Sequence, residues 1–320
     1  MRRARNSAYM SPSRHARSLA LAALVVLAGR ADAQQPARAI DLVTYRIAPS
    51  AADSTIRRFD EPNYVVFAPQ VRDSAPLLVF LPGTGGRPQN TSDFANVAAR
   101  QGYRVIGLAY DDEPAVAALC PREPDPGCSE KVRRKRIYGD DVTSLIDDRP
   151  EESVVNRLTS LLVMLARQHP ADGWQQYVVN GQPNWPRIAV SGLSQGAGMA
   201  AYIAQRTRVA RAILFSSPWD NYGRQHTLAP WVRRGSGATP PDDWFAAYHE
   251  REATAPIIAD AYRALGIPSS HVRVFTLEPA AARSANPYHP SVVGNGATPR
   301  LADGTPAYLD DWRFLLGDMH

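Results

Sequence analysis

From about Asp41 onward, short apolar runs rich in β-branched residues alternate with segments of helical period. Asp41 to Ile47 and Tyr64 to Ala68 read as opening strands. Leu77 to Leu81 is wholly apolar and ends in Pro82-Gly83-Thr84-Gly85-Gly86. Such a run suits a strand covered on both faces of a parallel sheet. Ser92 to Gln101 is helical in period and Arg104 to Tyr110 is the next strand. After a Pro-rich excursion, Val154, Leu158, Leu161, Leu162 and Leu165 put one apolar stripe on a helix from about Glu151 to Gln168. Strands then follow at Ile188 to Ser191, Ala212 to Phe215, Phe245 to Tyr248 and Val272 to Leu277. Helices fall at Gly196 to Gln205, Ala255 to Leu265 and Tyr308 to Leu316. Trp219 to Pro241 has no clear period and reads as a loop or lid insertion. The alternation predicts an α/β fold, a mostly parallel doubly wound sheet with helices on both faces, in one domain over residues 34–320.

The first 33 residues stand apart from this pattern. Arg2, Arg3, Arg5, Arg14 and Arg17 precede an apolar run from Ser18 to Gly29, and Ala31-Asp32-Ala33 follows it. A basic segment, a short apolar core and small residues at a cleavage position make a secretory signal, so an exported protein, periplasmic or secreted, is expected. The apolar run is shorter than the roughly 20 residues a bilayer requires, and no stable membrane insertion is expected. This segment also explains the charge. The whole chain is formally +5, and residues 1–33 hold six Arg against one acid, so the remainder is formally neutral. A nucleic-acid partner therefore loses its main support.

Only two cysteines occur, Cys120 and Cys128, within Cys-Pro-Arg-Glu-Pro-Asp-Pro-Gly-Cys. In an oxidising compartment they are expected to form one local disulfide. A zinc site would need more Cys or His nearby, and no metal is expected.

Gly192-Leu193-Ser194-Gln195-Gly196 lies between an apolar strand and a helix of small residues. That is the setting of a nucleophile elbow, in which glycines at both ends admit a turn too sharp for side chains. Ser194 is the expected nucleophile, and the backbone N–H of Gln195 one oxyanion donor. The second donor is expected from the loop after the earlier buried strand, at Thr84. That loop has no Lys for a phosphate loop, and its glycines miss the dinucleotide spacing.

In a strand–elbow–helix protein of this kind the order is nucleophile, acid, then His. Among the later histidines His289, in Asn286-Pro287-Tyr288-His289-Pro290-Ser291, follows the last strand and is the expected base. His226 comes too early, His271 opens a strand and His320 is terminal. Two acids compete for the third place: Glu252 after the strand ending near Tyr248, and Asp220 after the strand before it. Glu252 is favoured slightly; either residue could instead be a cap or a surface charge.

Asp140, Asp141, Asp147, Asp148, Glu151 and Glu152 lack calcium-loop spacing and read as helix caps and first-turn acids. The basic run Lys131 to Arg136 reads as a solvated face or a partner of those acids. Trp219, Tyr222, Trp231 and Trp244 suit either an acyl or aryl pocket or lid packing.

Four stretches together resemble a family of bacterial exported α/β hydrolases. They are Leu81-Pro82-Gly83-Thr84-Gly85-Gly86, Gly192-Leu193-Ser194-Gln195-Gly196-Ala197-Gly198, Tyr248-His249-Glu250-Arg251-Glu252 and Asn286-Pro287-Tyr288-His289-Pro290-Ser291-Val292-Val293. The resemblance spans about Leu77 to Leu316. It departs from the family at Leu193, where relatives often have His, and at Glu252, where α/β hydrolases often have Asp. It implies hydrolase chemistry and no particular substrate. The expected function is a serine carboxylic ester hydrolase working through an acyl-enzyme on a small-molecule ester, with no cofactor. Serine peptidase or polyester depolymerase activity stands as an alternative chemistry. A non-catalytic binding protein on the same fold is the alternative of another class.

Overall fold

A computed structural model describes residues 41–280 and 285–317. The expected signal segment, residues 1–33, and His320 lie outside the described residues.

Eight strands make one sheet: β1 (Val43–Ile47), β2 (Asn63–Phe67), β3 (Leu77–Leu81), β4 (Arg104–Gly107), β5 (Ile188–Leu193), β6 (Arg211–Phe215), β7 (Trp244–His249) and β8 (Val272–Phe275). Their spatial order is β1-β2-β4-β3-β5-β6-β7-β8. β2 runs antiparallel to both β1 and β4, and every pairing from β4 to β8 is parallel. This is the mostly parallel, doubly wound sheet that the alternation of patterns predicts.

The unbroken apolar runs follow from double coverage. In β3, Leu77, Val79 and Leu81 enter one core cluster, while Leu78 and Phe80 enter the other. Period-two geometry sends neighbours to opposite faces, so both must be apolar. On the first face lie α2 (Cys128–Tyr138), α3 (Val154–Gln168), α4 (Gln195–Arg206) and α5 (Ala255–Ala264). On the second, Phe94 of α1 (Ser92–Arg100) and Trp312 of α6 (Leu309–Leu316) pack edge to face.

Several elements differ from their sequence-based expectation. β4 ends at Gly107 rather than Tyr110, because the N–H of Ala109 leaves the ladder for Oδ1 of Asn63 at 2.8 Å. β8 ends at Phe275 rather than Leu277. The long helix starts at Val154, and its cap is Ser153, whose hydroxyl accepts from the N–H of Asn156. Glu152, expected as a cap acid, is instead buried and accepts from the N–H of Arg57 and from Arg157.

The largest correction concerns Lys131 to Arg136, which belongs to α2, a helix with no apolar stripe to announce it. Lys131 is exposed, but Arg133 and Arg136 are each 1% exposed, so the solvated-face reading fails for the run as a whole. Its alternative, partnership with the acids, is what is observed: Arg134 with Asp140, Lys135 with Asp141 and Arg136 with Asp148. Burying a charge is costly unless it is paired and hydrogen-bonded, and Arg133, Lys135 and Arg136 each are.

Cys120 and Cys128 form a disulfide that joins the segment before α2 to its first residue. Residues 219–241 are only partly a surface loop. A two-stranded hairpin (Asn221–Tyr222 with Thr227–Leu228) leads into Trp231 and Val232, both fully buried. Trp231 and Trp244 are core residues. Among the described residues no helix is long and apolar enough to cross a membrane.

Candidate active site

Sheet order brings the site together. The chain passes from β3 outward to β4, then returns to β5 on the other side of β3. At such a switch point the connections diverge to opposite faces and leave a crevice at the strand C-termini. Pro82 to Gly86 follows β3 at that edge, and Ser194 follows β5.

Ser194 has φ 55° and ψ −121°, in the strained region that non-glycine residues avoid. Its N–H donates to the carbonyl of Phe215 at 2.9 Å, which anchors the turn to β6. The flanking glycines are required by contact. A Cβ on Gly192 would lie 2.4 Å from the carbonyl carbon of Gly196, and one on Gly196 would lie 2.0 Å from the carbonyl oxygen of Leu81. The turn therefore presses directly against the end of β3. Gln195 is the first residue of α4, so its N–H belongs to the set that no helical carbonyl takes.

The loop after β3 is shaped by two bonds around Thr84. The N–H of Gly86 donates to the carbonyl of Gly83 at 2.8 Å, and that of Gly85 to Oδ1 of Asp112 at 3.2 Å. The Gln195 side chain reaches the same neighbourhood. Its Nε2 donates to the carbonyl of Asp112 at 2.7 Å, and its Oε1 accepts from the N–H of Val116 at 2.9 Å. Residues 112–116 thus tie the β3 loop to the start of α4. Asp112 is buried, and desolvation pushes its carboxyl up to about 7, reinforced by the nearby Glu113.

His289 sits on a single helical turn, Tyr288–Ser291, beyond β8. Its Nδ1 lies 2.7 Å from Oε2 of Glu252. The other oxygen of Glu252 accepts from the hydroxyl of Ser216 at 2.5 Å and from the N–H of His249 at 2.9 Å. The Glu252 side chain is fully buried and that of His289 is 20% exposed. Both carboxylate oxygens are therefore occupied, and the imidazole is held with Nε2 free of this contact. Ser194, Thr84 and His289 line one cleft of about 680 Å³. Asn295 fixes its far wall to the start of α1, accepting from the N–H of Asp93 and donating to Gln89 and Ser92.

Asp220 has a different set of partners. Arg133 donates to both of its oxygens at 2.7 and 2.5 Å, and the indole N–H of Trp231 to one of them at 2.9 Å. Asp220 and Arg133 border a smaller cavity that Ser194 and Gln195 also line. Three other described histidines after Ser194 have local partners: the ring of His249 is bonded to the carbonyl of Leu277 and the N–H of Arg251, Nδ1 of His226 faces Asn221, and Nδ1 of His271 faces the carbonyl of Trp244. Among the described residues, no three or more His, Cys, Asp or Glu converge as metal ligands would.

Ser216, the bracing role of the Gln195 side chain, and Asp112 were not singled out from the sequence. The tripeptide Ser216-Ser217-Pro218 carries no motif; in the structure Ser216 sits at φ 53°.

No family model matches the chain, and no curated protein sequence matches it. Solved structures of low identity do. A bacterial heroin esterase is 14% identical with a TM-score of 0.39, covering 73% of this chain and 74% of its own. An esterase of the bacterial hormone-sensitive lipase family is 16% identical with a TM-score of 0.42, covering 88% and 86%. A carboxyl esterase from the mycorrhizal fungus Tuber melanosporum is 10% identical with a TM-score of 0.44, covering 90% of each. By its own strand order and its strand–elbow–helix turn at the switch point, the chain has the α/β-hydrolase fold.

Proposed function

We propose that this protein is an exported serine hydrolase of carboxylic esters, with Ser194 as nucleophile, His289 as general base and Glu252 as the acid. The observation that carries the reading is the 2.7 Å bond from His289 to a buried Glu252, in a cleft that Ser194 shares. A carboxylate in that place fixes the imidazole tautomer and stabilises the imidazolium. Asp220, saturated by Arg133 and Trp231, is then a structural anion.

On this reading the steps are those of an acyl-enzyme mechanism. His289 takes the Ser194 hydroxyl proton, and Oγ attacks the ester carbonyl. The N–H groups of Gln195 and Thr84 receive the oxyanion. His289 then returns the proton to the leaving alkoxide, and a water deacylates the serine by the same route. Export rests on the signal-like residues 1–33 and is consistent with the Cys120–Cys128 disulfide.

Hydrolysis of p-nitrophenyl acetate by wild type and Ser194→Ala tests the reading. Wild type should turn over and the variant should fall to background. Equal turnover by the two would remove Ser194 as the nucleophile, and a wild type inert on every simple ester would point to the non-catalytic alternative.

A further inference from the structure

Two cavities meet at Ser194, and they differ in which catalytic groups they touch. The cleft of about 680 Å³ is lined by Ser194, Thr84 and His289. The second, of about 200 Å³, is lined by Ser194, Thr84 and Gln195 but not by His289. Their roles follow from proton transfer, granted the proposed triad. The general acid must reach the leaving oxygen, so the alcohol lies on the His289 side. The acyl chain then enters the small cavity beside the oxyanion donors.

That cavity is lined by Val116, Trp219 and the Arg133–Asp220 pair. Its volume is below the roughly 300–1,000 Å³ of pockets that hold drug-sized ligands. A third cavity of about 720 Å³ shares Trp219 and Ala117 with it and is bordered also by Thr254 and Ile257. Trp219 is the bulky member of that shared lining. The Trp219 indole N–H is buried without a hydrogen-bond partner among the described residues. Removing the ring therefore orphans no acceptor, and what the ring contributes is volume.

We infer that this hydrolase acts on esters of short acyl chains with bulkier alcohols, and that Trp219 sets the acyl limit. Longer chains meet the indole and the ion pair behind it. Among the described residues, the cleft on the His289 side is the roomier of the two, at about 680 Å³, and takes the larger group.

The test is the ratio of kcat/KM across p-nitrophenyl acetate, butyrate, hexanoate and octanoate for wild type, Trp219→Ala and Trp219→Phe, each checked for folding by circular dichroism. Wild type should lose roughly 10-fold or more between butyrate and hexanoate. Trp219→Ala should raise the hexanoate-to-butyrate ratio by about 10-fold or more, and Trp219→Phe should lie between. A second series on wild type alone holds the acyl group at acetyl and enlarges a primary alcohol of matched leaving-group strength, from ethyl to benzyl to naphthylmethyl, and kcat/KM should not fall with size. Efficient octanoate hydrolysis by wild type, an unchanged ratio in a folded Trp219→Ala, or a steep loss with alcohol size would each overturn the inference while leaving the triad intact. A wild type with no turnover on any ester would overturn both.

Discussion

Arg133 grips both carboxylate oxygens of Asp220 at 2.7 and 2.5 Å across 87 residues of sequence, and both side chains are buried. The pair joins α2 to the segment after β6, and the Trp231 indole N–H completes it. Removing one member strands the other charge in the core. Arg133→Met should therefore lower the unfolding free energy by about 3–5 kcal/mol, whereas Arg133→Met with Asp220→Leu should recover most of the loss. Urea denaturation of the three proteins measures this. Equal stabilities for wild type and Arg133→Met would show that the pair does not hold the fold.

The two acids separate by the kind of damage their loss causes. Glu252→Gln should fold and lose about 10²–10⁴-fold in kcat, because the imidazole loses the acceptor on Nδ1. Asp220→Asn should act mainly on stability, by weakening the contact with Arg133. Steady-state kinetics beside thermal melting distinguishes the cases. A large kcat loss in Asp220→Asn at unchanged stability would reverse the assignment.

Asp112 links pH to stability. Burial holds its carboxyl up at about 7, while the N–H groups of Gly85 and Gly86 and the charge of Arg136 pull the other way. In the unfolded chain the group titrates near its ordinary value of about 3.9. Between those values the folded state binds the extra proton, so this contribution is present at low pH and is lost as pH rises toward 7. Asp112→Asn keeps an acceptor for Gly85 and removes the titration. Its stability relative to wild type should therefore rise from pH 5 to pH 8, as read by urea denaturation at both. Parallel behaviour of the two proteins would refute the effect.

The disulfide closes a short loop, with cysteines 8 residues apart in sequence. On the loop-entropy model, replacing both cysteines by Ala should cost about 2–3 kcal/mol. The same loss should appear on reducing wild type, and reduction should leave the double variant unchanged.

What was legible in the sequence was legible for local reasons. Leu77 to Leu81 had to be a doubly covered strand because five apolar residues leave no face for water. Gly192 and Gly196 announced a sharp turn because no side chain fits there. Glu252 was only slightly favoured over Asp220, since both follow strands; their partners, 37 residues on for Glu252 and 87 back for Asp220, belong to tertiary structure. The helix α2 escaped notice for the opposite reason. Arg133 and Arg136 fill positions that period would assign to apolar residues, and their burial depends on acids elsewhere in the chain. Gly198 shows the same limit. It reads as an ordinary small helix residue, yet a Cβ there would lie 2.2 Å from the Arg133 guanidinium.

The most direct test of the account is where a fluorophosphonate attaches. The intact protein is treated with the reagent, digested, and its peptides analysed by mass spectrometry. One phosphonyl group per chain should appear on the peptide containing Ser194, and Glu252→Gln should acquire it far more slowly. An unlabelled wild type, or an adduct on any other residue, would contradict the central claim that Ser194 is a nucleophile activated by His289 and Glu252.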